Sequence, residues 1–263
     1  MVSHGEFLKV DADMCTVVIL RRPGHDWPLL LAGNRDEMKG RPWKPPARHW
    51  PDRPEVMAGI DESAGGSWLG VNDHGVVATV LNREGTLGPM AGKRSRGELV
   101  LDALDHADAA SAADALAHLD GRAYRPFNLV VADNRDAFCL SLTGESRRVR
   151  VETVPVGLSM VAASDLNDPD HPRLRFFRPL FQAAPAPDPA LDDWSGWTPL
   201  LRSRIWDGDA GPRGAMCIVT PSGFETGSSA LVALPSIERL GTKPRFLFAP
   251  GRPDQVAFAP VAL

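Results

Sequence analysis

Short apolar runs rich in β-branched residues, each closed by Gly, Pro, Asn or Asp, occupy both ends of this chain, and helix-like periodicity is confined mainly to the middle. Strands early, helices in the middle and strands again late predict two antiparallel sheets with helices packed outside them. That is an α+β layered domain.

The placement of individual elements follows from the same pattern. Cys15 to Leu20 and Pro28 to Gly33 read as strands around the turn region Arg22-Pro23-Gly24-His25-Asp26. Paired about Gly24 and His25, opposite residues have numbers summing to about 49, which brings Cys15 to Asn34 and its neighbour Arg35. Ser67 to Val71 and Val76 to Asn82 form the cleanest hairpin, turning at Asn72-Asp73-His74-Gly75 and setting Asn82 opposite Gly65-Gly66. The stretch from Arg41 to Pro54 holds five prolines and must be irregular or extended. Ser95-Arg96-Gly97-Glu98 has capping-box spacing and predicts a helix through about Asp105, and Ser111 is read as the cap of a second helix ending near Leu119. Further strands are expected at Asn128 to Ala132, Ala137 to Leu142, Arg147 to Val154, Leu158 to Ala163, Met216 to Val219, Ala230 to Leu234 and Arg245 to Phe248. Helices are expected at Pro172 to Gln182 and Pro199 to Arg204, with the Ala-Pro run Ala183 to Pro189 a loop.

Composition narrows the function classes. The 263 residues carry 43% hydrophobic and 24% charged side chains, the balance of a globular chain, and no apolar run is long enough to span a membrane. A net charge of −4 without a concentrated basic patch argues against a nucleic-acid binder. Cys15, Cys139 and Cys217 lie far apart with no Cys-x-x-Cys pair, which points to free thiols and a cytoplasmic location. The glycines of Gly88-Pro89-Met90-Ala91-Gly92-Lys93-Arg94 are too close for a phosphate loop, and Arg94 stands where Ser or Thr should be. Gly65-Gly66-Ser67-Trp68-Leu69 ends in Leu where a nucleophile elbow needs Gly. The seven histidines show no zinc-ligand spacing, so no metal or cofactor is expected. Cys139 and Cys217, inside apolar runs, read as buried thiols.

Cys15 is different because it follows Met14. A chain starting at Met14 would lose that methionine and leave Cys15 first, with its own α-amine as a general base beside the thiol. Amine and thiol titrate near about 7.7–8.0 and about 8.5, both close to neutrality. Arg35 across the hairpin would favour the thiolate, and Asp36 would orient the amine or Arg35. The domain then runs from 14 to 263, and residues 1 to 13, lacking apolar periodicity, form a dispensable extension.

Leu31-Ala32-Gly33-Asn34-Arg35-Asp36-Glu37 followed by Arg41-Pro42 resembles the NRDE family, also called the Transport and Golgi organization protein 2 family. The resemblance continues through Gly59-Ile60-Asp61, Gly65 to Val71, Leu81-Asn82, Ser95 to Leu99 and Phe127 to Asp133. It ends with Met216 to Val219 and Thr226 to Ser229, the first half being the more specific. It implies the N-terminal nucleophile (Ntn) hydrolase fold, a four-layer αββα sandwich, and a chemistry like that of cysteine amidases. By resemblance the nucleophile falls on Cys15, its support on Arg35 and Asp36, and oxyanion binding on Asn82. Asn34 and Asn167 are candidate substrate-binding residues. The sequence departs from the family at Gly227, where an Arg often stands, and at Leu158-Ser159-Met160, in place of the usual Gly-Leu-Ser-Asn.

The leading expectation is therefore an N-terminal-cysteine hydrolase acting on the C–N bond of a small linear amide. Its rivals are a non-enzymatic binder of haem or another hydrophobic metabolite, and a structural domain in which Gly65, Gly66 and Gly70 serve turns and close packing.

Overall fold

A computed structural model describes residues 15–144 and 146–263. Met14 and the extension over residues 1 to 13 lie outside the described residues. The strands are β1 Thr16–Arg21, β2 Leu29–Met38, β3 Trp43–Ala47, β4 Val56–Asp61, β5 Leu69–Asn72, β6 Val77–Asn82, β7 Phe127–Ala132, β8 Ala137–Leu142, β9 Arg150–Thr153, β10 Gly157–Val161, β11 Phe224–Leu234, β12 Arg245–Ala249 and β13 Ala259–Pro260. The α-helices are α1 Gly97–Leu104, α2 Ala109–Ala117, α3 Pro172–Ala183 and α4 Thr198–Leu201.

Two antiparallel sheets face each other, one ordered β10-β1-β2-β11-β12-β13 and the other β3-β4-β5-β6-β7-β8-β9. Strand alternation divides the apolar residues into separate layers. Val17, Ile19, Leu29 and Leu31 point between the sheets and meet Met57, Leu69, Val77 and Val130 there. Val18, Leu30 and Ala32 point the other way, onto Leu174, Phe177 and Phe181 of α3 and Leu201 of α4. On the far side α1 and α2 cover the second sheet through Leu99, Leu104, Ala112 and Leu116. The order helix, sheet, sheet, helix is the expected αββα sandwich. Phe177 and Phe181, 0% and 1% exposed, anchor α3, each burial favouring the fold by roughly 1.5–3 kcal/mol.

Several local expectations are corrected. Thr16 pairs with Asn34, because Arg22 N–H closes the turn on Pro28 O at 2.9 Å, so β1 and β2 lie one residue out of the expected register and Cys15 falls beside Arg35. The proline-rich stretch is extended, as expected, and holds an edge strand, β3, whose ladder is interrupted between Lys44 and Ala47, where Pro45 and Pro46 sit. The capping box is not reciprocal: Gly97 N–H donates to Ser95 Oγ at 3.2 Å, but Glu98 pairs with Arg94. Asp108, not Ser111, caps α2, accepting from Ser111 N–H at 2.7 Å. Met216 to Ile218 is buried but makes no ladder, and Val219 forms only an isolated bridge with Glu225. Cys217 N–H binds Ser203 O, and Ile218 is held through both Thr226 N–H and Thr226 Oγ1. Glycine matters where backbones meet: a Cβ on Gly66 would lie 2.5 Å from the Gly97 carbonyl carbon, so its absence lets the start of α1 press against the segment that leads into β5.

Candidate active site

The alternation that sorts the core also sorts Asn34-Arg35-Asp36-Glu37 at the end of β2. Arg35 and Glu37 share the inter-sheet side with Leu29 and Leu31, whereas Asn34 and Asp36 share the helix side with Leu30 and Ala32. Cys15, one residue before β1 and partly exposed, stands beside them and lines a cavity of about 330 Å³. Cys15, Arg35, Asp36 and Asn82 all line this cavity, together with Glu37, Arg41, Asp61 and Trp68.

The sulfur of Cys15 sits against the backbone of Asp36. Asp36 N–H donates to Sγ at 3.3 Å, and the thiol reaches Asp36 O at 3.6 Å. Burial, and then the Asp36 carboxylate, push this thiol up to about 12, while the Asp36 N–H and Arg35 pull it down by less. Arg35 acts toward the thiolate, as expected, but burial outweighs it while Cys15 remains within the peptide chain. The Asp36 side chain turns into the helix layer. Its Oδ2 is 3.1 Å from Arg173 Nη1 and its Oδ1 accepts from Thr226 Oγ1 at 2.5 Å, with both charged side chains fully buried. Burial outweighs these partners and pushes the Asp36 carboxyl up to about 6. Arg173 also donates to Thr16 Oγ1 and Arg213 O, which ties the start of β1 to α3.

Arg35 is held on the cavity side by different groups. Its guanidinium lies 4.6 Å from the Trp68 ring centroid and 3.6 and 3.7 Å from the carboxylates of Asp61 and Glu37. Arg41 contacts the same two carboxylates at 2.7 and 3.5 Å, so two cations and two anions form one cluster. Asp61 is fixed further by the N–H groups of Ser63 and Ala64. Such a cluster orients Arg35 and keeps its charge balanced without a bound ligand.

The three asparagines differ. Asn82, at the end of β6 opposite Phe127, lines the cavity, and its side-chain amide makes no hydrogen bond among the described residues. Asn34 lines a narrow cleft beside β1, but its amide faces the helix layer, donating to Leu201 O and Met216 O and accepting from Ser229 Oγ. Asn167, with φ of 58°, closes the turn after β10 by bonding Met160 N–H and Ser159 Oγ, and it is not among the residues lining the cavity. Sequence reasoning missed Arg173. The available signal was its position four residues before Phe177 and eight before Phe181, on the face of α3 that must be buried. No grouping of three His, Cys, Asp or Glu suited to a metal ion occurs among the described residues, nor any helix long and apolar enough to cross a membrane.

Residues 14–187 match the family model described as Transport and Golgi organisation 2. Over 115 residues the chain is 37% identical to the Transport and Golgi organization protein 2 homolog of Bos taurus and 36% identical to that of Homo sapiens. Each match covers 40% of this chain and spans 38% of the relative's length. Among solved structures, a variant of the conjugated bile acid hydrolase from Clostridium perfringens superposes with a TM-score of 0.50 at 12% identity, over 95% of this chain and 97% of that one. The likeness is one of fold: paired antiparallel sheets with helices outside, the arrangement of N-terminal nucleophile hydrolases.

Proposed function

The chain belongs to the Transport and Golgi organisation 2 family and carries the N-terminal nucleophile hydrolase fold, and from that premise we propose that it cleaves the C–N bond of a small linear amide once Cys15 is its first residue. Fold alone does not carry function. The observation that supports this reading is the convergence on one cavity of the thiol before β1 and the unbonded amide of Asn82.

The free α-amine of Cys15 takes the thiol proton as sulfur attacks the carbonyl carbon. Its pKa near about 7.7–8.0 suits that task at neutral pH. Negative charge gathers on the carbonyl oxygen, where the Asn82 N–H₂ group donates. As the C–N bond breaks, the ammonium returns its proton to the departing nitrogen, and the amine leaves. Water, deprotonated by the same amine, then attacks the thioester. The C–S bond breaks, a carboxylic acid is released and the thiol is restored. Arg35, braced on Trp68 and the two carboxylates, keeps a cation beside the sulfur, and Asp36 holds the sulfur through its backbone. The free thiols suit a reducing compartment, and we place the protein in the cytoplasm.

Intact-mass measurement of the natively expressed protein, paired with a panel of N-acyl amides, tests the reading. Expected are a chain beginning at Cys15, turnover of at least one amide, and loss of turnover in Cys15→Ala. A mature protein that keeps residues 1 to 14 and is fully active refutes the N-terminal-nucleophile mechanism.

A further inference from the structure

The charge of the cavity exceeds what the chemistry above requires. Six cationic side chains and three carboxylates line it, in a chain whose net charge is −4. Much of this charge is matched locally. Glu37 and Asp61 answer Arg35 and Arg41, Arg173 answers Asp36 from the helix layer, and Arg94 pairs with Glu98 at 2.6 Å.

Lys93 and Arg125 differ from these. Lys93 Nζ donates to Arg122 O at 2.5 Å, and Arg125 Nη1 donates to Leu87 O and Gly88 O at 2.6 and 2.9 Å. Carbonyl oxygens fix the position of a cation without cancelling its charge. Neither residue makes an ion pair with a carboxylate among the described residues. The loop between β6 and α1 that Arg125 braces also gives apolar Leu87, Pro89 and Met90 to the same cavity, so fixed positive charge adjoins apolar surface. An apolar chain bearing an oxyanion matches that combination.

We propose that the amide taken by this cavity carries an anionic group, a carboxylate or a phosphate, seated on Lys93 and Arg125. The inference rests on the hydrolase reading for the word amide, but its test requires no turnover. Calorimetric binding to the full chain carrying Cys15→Ala compares three ligands of one skeleton: N-dodecanoylglycine, N-dodecanoylethanolamine and the O-phosphate of the latter. At low salt at least one of the two anions should bind about tenfold or more tightly than the neutral alcohol, the scale of a charge-assisted hydrogen bond. The tighter of the two anions identifies the group. Adding Lys93→Gln and Arg125→Gln should bring all three ligands to within about twofold, whereas Arg125→Lys retains most of the preference. The preference should also shrink in the parent chain as salt is raised, a readout that needs no further variant. Binding of both anions no tighter than that of the alcohol, no saturable binding of either anion, or a preference that survives both the double substitution and high salt overturns the proposal. A chain that prefers the anions yet never cleaves an amide refutes the hydrolase reading and leaves the charge assignment standing.

Discussion

Replacing Arg173 by Leu removes the counter-charge from a carboxylate that water does not reach. Asp36 and Arg173 are fully buried at 3.1 Å, and the substitution deletes the donors to Asp36 Oδ2, Thr16 Oγ1 and Arg213 O while leaving Thr226 as a donor to Asp36. Breaking one side of a buried pair costs about 3–5 kcal/mol. The pH dependence separates this mechanism from ordinary loss of packing. In the parent chain the Asp36 carboxyl lies at about 6, so above that pH it is ionised both folded and unfolded and adds no slope. Without Arg173 its pKa climbs further, and the folded state keeps a proton that the unfolded state has lost. Stability of the variant must then fall as pH rises, by up to about 1.4 kcal/mol per unit above pH 6, until the new pKa is passed. Urea unfolding followed by tryptophan fluorescence at pH 6, 7 and 8 measures the difference. A deficit that stays flat across this range, or one below about 1 kcal/mol at pH 7, refutes the counter-charge argument. The double variant Arg173→Leu with Asp36→Leu should recover much of the loss, because it removes both charges.

Four further outcomes follow from the same geometry. The His171 imidazole, buried and close to Arg173, is held down to about 4, so its contribution is in place above its ordinary value of 6.5 and is lost as pH falls through 4. His171→Gln should make the chain less acid-labile by about 3 kcal/mol, read from melting between pH 7 and 4. Gly66→Ala drives a Cβ into the Gly97 backbone and should cost about 1–3 kcal/mol; an unchanged melting temperature would show that α1 can move aside freely. Asn82→Ala should lower kcat by about 10²–10³ with little effect on KM or melting, since its amide supports no other bond among the described residues. All three cysteine thiols are pushed up to about 12, so each should alkylate more slowly than free cysteine near neutral pH while residue 14 remains attached. Freeing the Cys15 amine should make Cys15 the fastest, and the nucleophile assignment fails if Cys139 or Cys217 still leads.

The sequence was most informative where one periodicity governs a whole element. Alternation along β1 and β2 gave the hairpin to within one residue, and with it the closeness of Cys15 and Arg35. The same alternation, carried two residues further, separates Arg35 from Asp36 across the sheet. Elements without such a pattern were missed. β4 is interrupted by Gly59, β3 is broken by prolines, and β13 has only two residues. The buried segment at Met216 to Ile218 has the composition of a strand, but its partners are Asn34, Ser203 and Thr226, chosen by tertiary structure rather than by local propensity. The cavity side of the site was legible because Cys15, Arg35 and Asn82 lie at hairpin positions. Its buried support was not, because Arg173 is 137 residues from Asp36 along the chain and no local rule pairs them.

β11 lies against β2 with Thr226 beside Asp36 and Ser228 beside Arg35, so Gly227 is an extra residue in the ladder. That surplus allows two residues of like parity to face opposite sides, Thr226 toward the buried carboxylate and Ser228 toward the narrow cleft beside β1. Replacing Gly227 leaves the count unchanged, and a Cβ there would come no closer than 3.8 Å to Arg35, so many side chains are tolerable in principle. Deleting it would join Thr226 directly to Ser228 and restore a regular ladder with the same two pairings. The surplus residue therefore shapes the strand beside Arg35 rather than choosing which side chain meets Asp36, and variation at this position should leave the pairing of Thr226 with Asp36 intact.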